Sequence, residues 1–132
     1  MKVIPFFIIF VKKEIMGTEN LFIVGYGLAG GFGGIQNYVV IEASSESDAE
    51  DQARLMSVEE YESYVGSNGL RDIQDIMDED EVDEDEAYEI YDQEMDSWLD
   101  YEAEPFTKER LDELNEEGYN VENRFTEITD KL

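Results

Sequence analysis

Histidine and cysteine are both absent from the 132 residues, and Lys plus Arg number only nine. Without imidazole there is no His general base, and without thiols there is no Cys nucleophile, thiolate zinc site, Fe–S cluster or disulfide. Proline occurs only at Pro5 and Pro105. The longest apolar run, VIPFFIIFV at residues 3–11, falls well short of the roughly 20 residues that a membrane-spanning helix needs.

What the chain does carry is negative charge. It has 35 Asp plus Glu, a formal net charge of −26. Acidic disordered chains are poor in aromatics and β-branched residues; here 42% of residues are hydrophobic and there are seven Phe, eight Tyr and one Trp, enough for one modest core. The charge is not spread evenly. Residues 1–43 balance Lys2, Lys12 and Lys13 against Glu14, Glu19 and Glu42, so the whole excess lies in residues 44–132. Residues 72–104 hold 17 acids and no base. Such a surface repels nucleic acid and anionic membrane and attracts basic proteins, polyamines and divalent cations. Acidity that serves only solubility, or a halophilic source, is the plainer alternative. Crowded like charges disfavour ionisation, which predicts folded carboxyls titrating above their unfolded values and a fold more stable near pH 5 than pH 8.

Residues 1–15 read as an apolar arm or strand, and residues 16–132 as one acidic α+β domain. A secretory signal fits poorly, because Pro5 interrupts the run and Lys12-Lys13-Glu14 stands where a small-residue cleavage site belongs. Upstream translation with Met16 as the natural start is the other reading. Gly25-Tyr26-Gly27-Leu28-Ala29-Gly30 matches the dinucleotide fingerprint G-x-G-x-x-G in spacing. That motif needs a helix opening at its last glycine. Three of the next seven residues are Gly, and Tyr38-Val39-Val40-Ile41 then starts another strand, so no crossover helix fits. The pattern predicts two antiparallel strands, about 20–29 and 37–43, joined by a Gly-rich loop, with Phe32 as either a core plug or an exposed anchor.

The remainder reads as helices. Ser45 with Asp48, or Ser47 with Glu50, caps a helix that ends near Gly66, and Ser57-Val58-Glu59-Glu60 is a second capping-box match that offers a break. A short helix over 70–77 follows. Asp78–Glu86 fails the calcium-loop spacing whether the loop starts at Asp78 or at Asp83, with Val82 or Ala87 at position 5 and no Gly at position 6, so no dedicated metal site is expected. Asp83 and Glu86 begin a helix over 83–100 whose inward stripe is Tyr88, Tyr91, Met95 and Trp98/Leu99. Its opposite face is Glu84, Asp85, Glu89, Asp92, Asp96 and Asp100. A short strand over 101–106, a helix capped by Thr107 and ended by Gly118, and a last extended segment complete the chain. The fold class is α+β: a small antiparallel sheet, its hairpin joined by the Gly-rich loop, packed against three or four acidic helices that cover one face.

No pair among 35 carboxylates is singled out for glycosidase-type chemistry and no phosphate cradle survives, so the chain reads as non-catalytic and without cofactor. A strand, Gly loop and strand over 21–43, followed by acidic Tyr-rich helices, resembles the DNA-mimic antirestriction and anti-defence proteins of phages and mobile elements. No specific motif carries the resemblance, and no family residue maps onto these positions. It implies binding, in the host cytoplasm, to a basic surface of a nucleic-acid-binding protein, with no direct contact to nucleic acid or membrane. The expected contact residues are Asp80, Glu81, Asp83, Glu84, Asp85, Glu89, Asp92, Asp96 and Asp100, with Phe32 from the loop. The alternative is a structural or adaptor protein, homo-oligomeric or otherwise, assembling through its apolar Gly-rich N-terminal third.

Overall fold

The computed structural model describes residues 17–131; the apolar run at 3–11 lies outside them. After one 3-10 turn, β1 (Leu21–Leu28) and β2 (Gly34–Glu42) form the expected antiparallel hairpin. β2 starts three residues earlier than its apolar run suggested, because Gly34 and Ile35 pair with Leu28 and Gly27 past an irregularity between Tyr26 and Gly27. The turn is short. Ala29 precedes a single 3-10 turn at Gly30–Phe32, and Gly33 closes it at φ 96, a left-handed conformation that L side chains resist. Gly25 lies inside β1, where a Cβ would stand 2.7 Å from Ile35 Cγ2 and 2.8 Å from Tyr38 Cε1. The fingerprint glycines therefore serve strand packing and a tight turn, and no helix opens behind them.

β1 is central. β3 (Leu99–Pro105) pairs with it antiparallel on the other side, and the two-residue β4 (Glu122–Asn123) joins β2 in parallel, giving the order β3-β1-β2-β4. The sheet is thus antiparallel but for its last, shortest pairing. Helices cover both faces, not one. Strand alternation sends Phe22, Val24 and Ile41 to one face, where they meet Ala49 and Ala53 of α1 (Glu46–Tyr64). It sends Leu21, Ile23 and Val40 to the other, where they meet Leu111 and Leu114 of α4 (Lys108–Glu116). Burial on both sides explains why Leu21-Phe22-Ile23-Val24 is an unbroken apolar run.

Local signals place the helices. Ser45 Oγ accepts the Asp48 N–H at 3.0 Å and starts α1. Asp72 and Asp75 form a reciprocal capping box for α2 (Ile73–Asp80), which begins three residues later than its apolar pattern implied. Asp83 caps α3 (Glu84–Trp98), and Thr107 caps α4. A one-turn α5 (Thr126–Thr129) follows β4. α1 does not break at Ser57. Ala49, Ala53, Ser57 and Tyr61 are all buried at a spacing of four, so Ser57 points into the sheet and not along the helix. Its Oγ–H donates to Gly27 O at 2.7 Å, and it accepts the Asp100 N–H at 3.2 Å. Gly27 and Asp100 face each other across β1 and β3, so a helix hydroxyl bridges the two strands.

Candidate functional site

The acidic stretch over 72–104 has no base of its own, but bases on either side of it reach in. Arg54 of α1 contacts Asp96 at 2.9 Å. Arg71 grips Asp80 with both ends of its fork, at 2.9 and 3.2 Å, and also contacts Glu79 and Glu94. Arg110 of α4 holds Glu104 at 3.0 Å and Glu113 at 3.3 Å. The hydrogen bonds to Glu94 and Asp80 hold the Arg71 guanidinium well above its ordinary pKa. The same contact holds the Asp80 carboxyl below the usual Asp value. Asp48 is lowered too, chiefly by the Ser44 N–H that it accepts at 2.9 Å. These two carboxyls move opposite to the upward shift expected from crowding, because each has a donor within hydrogen-bond reach.

The nine acids expected to form one surface therefore divide. Asp80 and Asp96 are neutralised by Arg71 and Arg54. Asp100 lies beyond the end of α3, half-buried on β3 opposite Gly27, and is not part of the helix face. Glu81 terminates α2 in a left-handed conformation, φ 56, and Asp83 spends one oxygen on the Glu86 N–H at 2.9 Å. Glu84, Asp85, Glu89 and Asp92 are exposed, and among the described residues their side chains make no hydrogen bond or ion pair. They form the uncompensated part of the face, on the first two and a half turns of α3.

α3 docks through Ala87, Tyr91 and Met95, with the Tyr91 ring edge-on to Tyr61 at 5.9 Å. Burial pushes the Tyr91 hydroxyl above its ordinary pKa, and Glu62, Asp92 and Asp72 add to the shift. Tyr88 was expected in this inward stripe. It is 53% exposed instead, because Ala87, one residue earlier, is the position that faces inward. Phe32 turns toward the protein: its ring lies 5.0 Å from Tyr64 and 5.6 Å, edge-on, from Trp98. Of its two readings, this packing is that of the plug. The hydrogen bond from Ala29 N–H to Trp98 O, 2.8 Å, ties the same turn to the end of α3.

Sequence reasoning missed Arg54 and Arg71 as partners of the acidic stretch and Tyr88 as a surface residue. No local signal links Arg54 to Asp96, which lie 42 residues apart. Among the described residues no group of carboxylates is placed to hold a metal ion, and no helix is long and apolar enough to cross a membrane. A surface hollow at the start of α1 is lined by Asn20, Glu42, Ala43, Ser44 and Asp48. Two of its polar groups are spent on each other, with Asp48 accepting from the Ser44 N–H and hydroxyl. Compared with protein-family models, curated proteins and solved structures, the chain matches none.

Proposed function

We propose that this is a non-catalytic acidic protein that binds a basic protein surface as a nucleic-acid mimic and so inhibits a nucleic-acid-binding enzyme in the cytoplasm, the host cytoplasm if a phage encodes it. One observation carries the reading: among the described residues Glu84, Asp85, Glu89 and Asp92 stay uncompensated while nearby acids are matched by arginines. The row is also rigidly mounted, since α3 is capped at Asp83 and seated through Ala87 and Met95. Spacing supports the mimicry. Residues 84–92 span about 12 Å of helix axis at a rise of ~1.5 Å per residue. With Glu86 they carry five carboxylates, one per about 3 Å, against one phosphate per ~3.4 Å along a strand of B-DNA.

The competing reading, assembly through the apolar N-terminal third, finds less support. Leu21, Phe22, Ile23, Val24, Val40 and Ile41 are consumed inside the fold.

The test is capture of proteins from a lysate of the source cell at low salt, with elution by a salt gradient and competition by duplex DNA. Nucleic-acid-binding proteins displaced by DNA, and lost with an E84Q/D85N/E89Q/D92N variant of unchanged circular dichroism, are the expected result. Equal capture by that variant would remove α3 as the binding face.

A further inference from the structure

Tyr88 is out of place. Tyr38 and Tyr119 pack edge-on against each other, as do Tyr61 and Tyr91, and Tyr64 lies on Phe32. Tyr88 stands 53% exposed, with no ring neighbour and no hydrogen bond among the described residues. A single exposed aromatic needs no explanation in itself; its surroundings here do. On a helix, neighbours three and four residues away share a face, their Cβ atoms about 5–6 Å apart. For Tyr88 these are Glu84, Asp85 and Asp92 on the outer side, three carboxylates without a hydrogen bond or ion pair among the described residues.

We propose that Tyr88 is the anchor of this face and that its occupant is an arginine-presenting segment of the basic partner, which rests on the reading above. Charge complementarity fixes the sign of the occupant, and the ring selects the guanidinium over the ammonium. A guanidinium is planar and weakly hydrated; it stacks on an aromatic face while its N–H fork reaches a carboxylate beside it. A lysine ammonium is compact and strongly hydrated, and behaves as a point charge. The same helix already receives guanidinium groups from within the chain: Arg54 on Asp96, one turn beyond Asp92, and Arg71 on Glu94. Around Tyr88, among the described residues, no arginine of the chain reaches the helix.

The experiment measures binding of fluorescent octa-arginine and octa-lysine peptides by anisotropy at 50 and 150 mM salt, with wild type, Tyr88→Ala, Tyr88→Phe and E84Q/D85N/D92N. Wild type is expected to prefer arginine by about two- to fivefold, the range of an exposed cation–π contact. Tyr88→Ala should shrink the preference by costing arginine binding more than lysine binding, Tyr88→Phe should keep it, and the charge variant should weaken both peptides. Equal affinity for the two peptides in wild type, or equal loss of both in Tyr88→Ala, overturns the anchor and leaves the acidic-face reading standing. No binding of either peptide overturns both. A dimer in sedimentation that Tyr88→Ala dissociates would assign the face to a second copy and also overturn the proposal.

Discussion

The β1–β2 hairpin and the acidic helices solve the same problem by different means. In the hairpin nearly every side chain of β1 is buried, on one face against α1 and on the other against α4, and residues 21–41 contain no charged residue at all. In α2 and α3 burial is confined to Ile76, Ala87 and Met95, and the chain between them is dense with carboxylates. The sheet is held by what it excludes from water. The helices are held by a narrow apolar stripe and by arginines borrowed from elsewhere in the chain. The difference shows where an acidic protein can afford its charge: on elements that need only one face for the core.

The largest expected effect tests the sheet. Ile23→Ala, at a fully buried site in the central strand, should cost roughly 2–5 kcal/mol of unfolding free energy by urea denaturation. A cost below about 1 kcal/mol would mean that the core relaxes around the cavity and that the sheet does not dominate. Next comes Ser57→Ala, which leaves the Gly27 carbonyl and the Asp100 N–H without their shared hydroxyl. The expected loss is about 1–3 kcal/mol, the cost of buried groups left unpaired. No loss would show that the two strands close the gap by bonding directly.

Arg71→Ala should lower the melting temperature by less than either, since its fork and the carboxylates it binds are partly open to water. Its deficit should shrink on adding salt, which screens the released repulsion among Glu79, Asp80 and Glu94. A deficit that grew with salt would mean that packing of the arginine stem, not its charge, was lost. The smallest effect is in acid. Asp48 and Asp80 have folded pKa values below the ordinary Asp value, so their stabilisation is complete above that value and is lost as pH falls through the folded one. Melts should therefore show part of the stability lost below about pH 4, with a smaller loss in Asp80→Asn than in wild type. An identical acid limb in the variant would remove Asp80 from that account.

Much of this was legible in the residues. The hairpin followed from two β-branched runs around a glycine cluster, and the caps at Ser45, Asp83 and Thr107 marked helix starts that the structure keeps. The rest depended on partners far away in the chain. Leu99–Pro105 alternates apolar and acidic residues, and a strand is readable over 101–106, but its three acids do not announce a place beside the most apolar strand. Periodicity located the inward stripe of α3 but could not choose between Ala87 and Tyr88 as its first member, and the candidate face turned on that choice. The split of the acids into matched and unmatched was equally out of reach, because Arg54, Arg71 and Arg110 all lie outside the acidic stretch that they serve.

Ser57 has a consequence for how the molecule breathes. The amide hydrogen of Asp100 belongs to a strand, yet it is held by a hydroxyl that belongs to a helix. Solvent can take that hydrogen only when β3 lifts from β1 or when α1 lifts from the sheet. Its exchange with deuterium thus follows whichever opening is the easier. One backbone position in β3 reports the weakest seam between the two layers.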